Sequence, residues 1–326
     1  TGKTSCWVVT RILAAPGLVV ATSNKPDIVQ LTREQRQERG KVWVFDPQEI
    51  VGDPQSFWWN PLAYVTSSGR ATAMAQALMD ASRPAGGQSS NPFFDIGARN
   101  LVARLLLAAA RSGKSLSEVK EWVNDPNDDE PVLLLRQAGE YEKADELQAM
   151  LNMVEVTRAG IFAGAQQIMG FTADERTMSW VTPNLWIPEL RLEDLLRSSD
   201  TLYLLSQEGP ASASPVVTAL TMAFTETAME HAKRQSSGRL SVPVLVELDE
   251  AANVCRWSQL PGLYSHFGSR GILVEAMLQS WSQGISAWGK EGMQALWSAA
   301  NVKIYGGGVA EPEFLSMLSD LIGSHW

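Results

Sequence analysis

The nine residues Val242–Glu250 read V-P-V-L-V-E-L-D-E, an apolar run that ends in two carboxylates. A short run this rich in valine is typical of a strand that is buried in a parallel sheet. Asp249 and Glu250 follow at its carboxyl end, the edge at which open α/β sheets bind their ligands. Glu247 is unusual, because it interrupts the apolar run on the face that it shares with Asp249. The stretch predicts a buried strand that presents two acids to a ligand, although a solvated acidic turn fits the same residues.

Three residues near the start of the sequence, Gly2-Lys3-Thr4, supply a partner for these acids. They match the end of a phosphate-binding loop, G-x-x-x-x-G-K-[ST], whose lysine neutralises phosphate charge and whose hydroxyl holds Mg²⁺. The apolar run Cys6–Leu13 predicts the helix that must follow such a loop. Alone, the tripeptide is common by chance and fits an ordinary turn into a helix. Its combination with a later strand that ends in Asp-Glu predicts a nucleoside triphosphatase.

This chemistry gives each candidate a role. Thr4 and Asp249 would bind Mg²⁺, and Glu250 would polarise the attacking water as a general base. Gln279 lies where a later apolar strand ends, so it would sense the γ-phosphate or position water; a strand-end glutamine without a role is the alternative. The expected nucleotide contacts are Thr1, Gly2, Lys3, Thr4 and Ser5.

Arg270, just before that later strand, is a candidate for a different role. In ring-shaped ATPases, an arginine of the neighbouring subunit stabilises the charge of the transition state. Lys303 is a rival for this role. A solvated loop residue is the alternative for Arg270.

Short apolar runs alternate with helical stretches on both sides of a long helical block. The predicted strands are Gly17–Thr22, Lys41–Asp46, Thr201–Leu205, Val242–Leu248, Gly271–Leu278 and Val302–Gly306. Such alternation is typical of an α/β fold with a parallel sheet and helices on both faces.

Between residues 69 and 179, alanine, leucine and methionine recur at helical spacing. Ser115 followed by Glu118 predicts a capping box at one helix start, and Tyr141–Ile168 is a long helical stretch. We therefore expect an all-α insertion domain (69–179) that interrupts an α/β nucleotide-binding domain, with a first half (1–68) and a second half (180–326) that rejoin in space.

Composition excludes several classes of protein. The net charge of −9 excludes a basic nucleic-acid coat, so contact with DNA would need a local patch. Two cysteines and three histidines, without metal-ligand spacing, exclude a disulfide framework and a four-ligand zinc site. The longest apolar runs fall short of the ~18 residues of a membrane-spanning helix, so we expect the sequence shown to be soluble by itself. Trp58 and Trp59 are expected in the core, with stacking on bases as the alternative.

The order of motifs along the chain resembles one family. The motifs are TGKTS (1–5), VVATSNKPDIVQLT (19–32), VWVFDP (42–47), FWWNPL (57–62), TLYLLSQEG (201–209), VLVELDEAANV (244–254), GSRGILVEAMLQSWSQ (268–283) and NVKIYGGG (301–308). This set resembles type IV coupling proteins, the TraG/TraD-type conjugative DNA-transfer ATPases, which are related to FtsK-type DNA translocases. The match is closest to actinobacterial members and covers nearly the whole chain. The segment from LDEAANV onward resembles their TraM-recognition region.

The resemblance implies a RecA-like P-loop core with an inserted all-α domain. It also implies a hexameric ring at the cytoplasmic face of the plasma membrane, which hydrolyses ATP with Mg²⁺, binds single- or double-stranded DNA, and delivers relaxase-bound single strands to a type IV secretion channel. Lys3, Thr4, Asp249, Glu250 and Gln279 fall on the family's nucleotide-site positions. Arg270 only approximates the trans-acting arginine, because the loop spacing varies.

Two departures from the family pattern stand out. The first glycines of the phosphate-binding loop, the strand before them and the usual transmembrane helices are missing from the sequence shown. A chain starting at Thr1 would leave a gap in the sheet, so we hypothesise that further residues precede it; an intact mass of 35.6 kDa would contradict this. Two other functions stay open: an FtsK-type DNA translocase or protein-secretion ATPase, and a non-hydrolysing adaptor that docks a relaxosome or secretion protein.

Overall fold

The predicted parallel sheet forms from five of the six apolar runs. The computed structural model describes residues 2–83, 91–209 and 211–323, so the nucleotide contact expected of Thr1 lies outside the described residues. The strands are β1 (Val19–Ser23), β2 (Val42–Phe45), β3 (Thr201–Leu205), β4 (Val244–Leu248) and β5 (Ile272–Ala276). They pair in parallel in the order β2-β3-β1-β4-β5. The two halves of the α/β part therefore rejoin in space, because β1 lies between β3 and β4.

The gap that we expected in the sheet is not found among the described strands. β4 pairs directly with β5, and the register places Glu247 opposite Glu275. β5 forms one edge of the described sheet, and 41% of Leu273 is exposed there. The five strands thus make an unbroken sheet whose carboxyl ends lie at one edge.

The sixth predicted strand, Val302–Gly306, is wrong. These residues lie outside any strand of the described chain, and Val302 and Ile304 are 74% and 59% exposed. A strand needs a neighbour for its backbone N–H and C=O groups. Because no described strand pairs with this segment, its apolar pattern alone does not produce a strand.

Helices cover both faces of the sheet and build the middle of the chain. The first three are α1 (Val9–Ala14), which continues a π-helical turn (Thr4–Val8), α2 (Asp27–Gln37) and α3 (Pro61–Tyr64). The middle block consists of α4 (Ser68–Ser82), α5 (Pro92–Ser112), α6 (Leu116–Asn124), α7 (Glu130–Gln137), α8 (Tyr141–Leu151), α9 (Glu155–Ile168) and α10 (Glu175–Ser179). The remainder are α11 (Leu192–Leu195), α12 (Ser214–Arg234), α13 (Ala251–Val254), α14 (Leu260–Phe267), α15 (Trp281–Ala299) and α16 (Pro312–Ile322).

The helical block packs on the sheet through α12, which is buried along most of its length. One apolar core joins the two parts, from Val20 of β1 to Leu105 of α5. Trp59 is 2% exposed and belongs to this core, as predicted. The predicted single stretch Tyr141–Ile168 is instead two helices, α8 and α9, because the chain leaves helical geometry at Asn152 and Val154.

The capping box predicted at the start of α6 is present. The N–H of Ser117 donates to Ser115 Oγ (3.1 Å), and the N–H of Ser115 donates to a Glu118 carboxylate oxygen (2.9 Å). Ser115→Ala removes one of the two contacts and should lower the free energy of unfolding by about 1 kcal/mol. Urea denaturation would measure it. Ser117→Ala in the same turn keeps the backbone donor and should change stability by less than half as much.

In the part of the chain that the structure describes, no helix combines the length and the apolar character needed to cross a bilayer.

Candidate functional site

The start of the chain lies against the carboxyl ends of β4 and β5. Lys3 Nζ donates to the backbone oxygen of Leu278, just after β5, at 2.7 Å. Thr4 Oγ1 donates to Asp249 Oδ2, just after β4, at 3.3 Å. The structure therefore brings together the two motifs that lie about 245 positions apart in the sequence. Gly2 has a positive φ of 70°, which a residue with a side chain rarely adopts.

Asp249 is buried and receives donors from two elements. Besides Thr4, Ser23 Oγ at the end of β1 donates to Asp249 Oδ2 at 3.3 Å, and Thr22 Oγ1 donates to its backbone oxygen at 3.2 Å. Burial raises the pKa of Asp249, the charge of Glu250 adds to this, and the bonds from Thr4 and Ser23 oppose it. Ser23 is a further residue of the site that was not predicted from the sequence. The sequence feature that could have indicated Ser23 is its position: it is a polar residue at the end of a buried strand.

The oxygen donors around Asp249 suit a magnesium ion. A carboxylate and the hydroxyls of Thr4 and Ser23 are hard ligands, and Mg²⁺ in phosphate sites keeps several waters and few protein ligands. Among the described residues, no group of three or more His, Cys, Asp or Glu side chains could hold a metal ion. The donor set thus fits a cation that is shared with phosphate oxygens.

Glu250 and Gln279 meet beside this position. Gln279 Nε2 donates to Glu250 Oε2 at 2.7 Å. Glu250 has a φ of 56°, a left-handed conformation that is uncommon for a residue other than glycine. Such strain is held by the surrounding structure and tends to occur at functional sites. The carboxylate therefore has a fixed partner and a fixed backbone at the carboxyl edge of the sheet.

A second acidic cluster lies deeper, under α1. Glu247 is fully buried, and neither of its carboxylate oxygens has a hydrogen-bond partner among the described residues. Burial and the neighbouring charge of Glu275 raise its pKa well above the usual value. Glu275 itself is bonded to Arg11 Nε (2.7 Å) and Trp7 Nε1 (2.7 Å). This cluster joins α1 to β5, so it holds the helix that follows the phosphate-binding residues.

Arg270 lies away from these groups. It ends a short 3₁₀ turn before β5, at the amino edge of the sheet, and its Nη1 donates to the backbone oxygen of Gly238 (2.9 Å). Lys303 Nζ donates to the backbone oxygen of Ala300 (2.6 Å). Among the described residues, neither Arg270 nor Lys303 forms a hydrogen bond with Glu250. Cys6 and Ser5 are exposed beside Gly2.

One segment of the chain matches a known protein family. Residues 243–325 match the family described as the TraM recognition site of TraD and TraG. A search of curated proteins found no match.

Solved structures of one bacterial conjugative coupling protein, TrwB, are similar over most of the chain. The unbound monoclinic form of TrwBdeltaN70 has a TM-score of 0.65 and 16% identity, over 92% of this chain and 64% of that one. The complex with ADP and Mg²⁺ has a TM-score of 0.60 and 14% identity, over 87% and 68%. The complex with the ATP analogue ADPNP has a TM-score of 0.55 and 13% identity, over 87% and 62%.

These similarities confirm the predicted fold, a RecA-like P-loop core with an all-α part, and the predicted resemblance to type IV coupling proteins. At 13% to 16% identity the solved structures establish the fold alone, and residues 243–325 are similar to the TraM recognition site of TraD and TraG. The chain spans 64% of the length of the unbound TrwB structure.

Proposed function

We propose that this chain, with the fold and the TraM recognition region of a type IV coupling protein, is the motor of a conjugative type IV secretion system. It would hydrolyse ATP to recruit and pump relaxase-bound single-stranded DNA to the channel. The observation that carries the proposal is the contact of Thr4 Oγ1 with Asp249 Oδ2 at 3.3 Å, which joins the phosphate-binding motif to the acidic strand end. The ligands named for the TrwB structures, ADP with Mg²⁺ and an ATP analogue, support the same cofactors here.

The proposed roles follow from position. The phosphates would be bound by Gly2, Lys3, Thr4 and Ser5. We propose that Thr1 contacts the nucleotide as well. Thr4 and Asp249 would hold Mg²⁺, which supplies charge stabilisation at the phosphates. Glu250 would take the proton of the attacking water. Gln279, whose Nε2 donates to Glu250 Oε2, would orient that water. Arg270 would act on the site of a neighbouring subunit.

The assembly that we propose is a homo-oligomeric ring, a hexamer, at the cytoplasmic face of the plasma membrane. Its partners would be single- or double-stranded DNA, relaxosome proteins and the secretion channel. The TraM recognition match supports a relaxosome partner. We also propose that the all-α part, residues 69–179, is a domain inserted between two halves of the nucleotide-binding domain, 1–68 and 180–326.

ATP hydrolysis by the full-length protein, with and without single-stranded DNA, tests the proposal. Turnover that DNA stimulates supports a nucleic-acid motor. ATP binding without turnover under any assembly condition would contradict the motor and favour a docking adaptor.

Lys3→Ala should weaken ATP binding by about 10- to 100-fold, because the positive charge of the phosphate-binding motif is lost. Titration with a fluorescent ATP analogue measures the dissociation constant. Lys25→Ala, at a loop after β1, removes the same charge from a neighbouring segment and is the matched control. Equal affinity in Lys3→Ala and the control would contradict the phosphate-binding role.

A further inference from the structure

Two loops at the carboxyl edge of the sheet are joined by a relay of side-chain amides. The first loop follows β4 at Glu250 and leads into α13, which carries Asn253; the second follows β5, carries Gln279 and leads into α15, which carries Gln283. Gln283 Oε1 accepts from the N–H of Gln279 at 2.9 Å, and Gln283 Nε2 donates to Asn253 Oδ1 at 2.8 Å. Gln279 Nε2 in turn donates to Glu250 Oε2. The N–H of Asn253 donates to the backbone oxygen of Glu250 at 2.8 Å, so the four residues close a ring of hydrogen bonds.

The orientation of the Gln283 amide follows from its partners. A backbone N–H can only donate, so the atom that faces Gln279 N must be the amide oxygen. The amide nitrogen then faces Asn253 and acts as the donor. Gln283 therefore uses both ends of its amide, and a side chain without both a donor and an acceptor cannot replace it.

Gln283 stands on a well-anchored helix start. Ser280 caps α15 by accepting from the N–H of Gln283 at 3.1 Å. Glu311, just before α16, accepts from the N–H groups of Trp281 (3.0 Å) and Ser282 (3.1 Å). These contacts satisfy the free donors of the first helical turn. Gln283 thus projects from a fixed platform, whereas Gln279 is exposed and precedes the helix.

We propose that Gln283 is a positioning residue, which holds Gln279 and, through Asn253, the loop of Glu250 in the geometry that ATP hydrolysis requires. This inference rests on the proposed ATPase function. Among the described residues, Gln283 forms no hydrogen bond with Lys3 or Asp249, so it would act on the chemical step and leave nucleotide binding unchanged.

Kinetics of Gln283→Ala in the full-length protein provide the first test. We expect kcat to fall about 10- to 100-fold, because small displacements of a positioned group cost rate, while KM and the affinity for ATP stay within about twofold. Gln294→Ala removes the same side chain from an exposed position of α15 and should leave kcat unchanged. Wild-type kcat in Gln283→Ala would overturn the proposal.

A double-mutant cycle separates positioning from general weakening of the fold. If Gln283 acts through Gln279, then Gln283→Ala should lower kcat by less than about twofold further in a Gln279→Ala background. If Gln283→Ala lowered kcat in the Gln279→Ala background as much as it does in the wild type, the proposal would be overturned. It would also be overturned if Gln283→Ala lowered the melting temperature enough to account for the loss of kcat.

Hydrogen exchange provides a readout without turnover. The N–H of Gln279 is bonded to Gln283 Oε1, so Gln283→Ala should raise exchange of the Gln279 amide at least about tenfold, and Gln294→Ala should not. Unchanged exchange would overturn the contact on which the inference depends. A wild-type protein that shows this protection and hydrolyses no ATP would overturn the positioning role together with the proposed function, whereas a wild-type ATPase without the Gln283 effects would overturn only the inference.

Discussion

Glu250→Gln should lower kcat for ATP hydrolysis by about 10²- to 10⁴-fold and leave the affinity for ATP within about twofold. The half-buried carboxylate accepts a hydrogen bond from Gln279 Nε2 at 2.7 Å, at the end of the strand that carries Asp249. Glutamine keeps the size of the side chain and an oxygen for that bond, but it cannot take a proton from water. The change therefore removes the base and retains the shape of the site. Steady-state hydrolysis and nucleotide titration measure the two quantities.

The matched control for this variant is Glu291→Gln, which makes the same substitution at an exposed position of α15. It should hydrolyse ATP like the wild type. The left-handed backbone of Glu250 is retained by glutamine, so thermal unfolding of both variants should match the wild type. Hydrolysis by Glu250→Gln at the wild-type rate would show that another group activates the water.

The strands were predictable because each is a short apolar run bounded by polar or turn residues. Thr201–Leu205 was predicted to the residue, and the run before Asp249 was predicted two residues too long at its start. The failure at Val302–Gly306 has a physical cause, since a β-prone segment becomes a strand only where another strand offers hydrogen bonds. Local patterns determine which segments can pair, and tertiary structure determines which of them do.

Some contacts of the candidate site were likewise predictable from the sequence, and others were not. The contact between Thr4 and Asp249 was predictable, because a phosphate-binding loop and an acidic strand end both lie at the carboxyl edge of a parallel sheet when they bind a nucleotide. The bond from Ser23 to Asp249 and the bond from Gln283 to Asn253 were not, since both depend on which strands are neighbours and on side-chain rotamers. A sequence without the strand order gives no distance between such residues.

Arg270→Ala should lower kcat by about 10³-fold in the assembled ring and should not change the low turnover of isolated subunits. Arg270 precedes β5 at the amino edge of the sheet, whereas Glu250 and Gln279 lie at the opposite, carboxyl edge, so we expect Arg270 to act on the site of a neighbouring subunit. Arg239→Ala is the matched control, because Arg239 lies on the adjoining loop and also donates to a backbone oxygen, that of Gly268 (2.8 Å). Turnover measured above and below the assembly concentration gives both rates.

Mixing two inactive variants tests whether Arg270 acts between subunits. An interface is complete when the subunit with Arg270→Ala supplies Glu250 and its neighbour with Glu250→Gln supplies Arg270. Random assembly of equal amounts makes about one quarter of the interfaces complete, so turnover should recover to a comparable fraction of the wild-type rate. If Arg270 served its own chain, no subunit in the mixture would hold both groups and no activity would return. A second mixture contains Lys303→Ala and Glu250→Gln. If turnover recovers in this mixture and not in the one with Arg270→Ala, the trans-acting residue is Lys303.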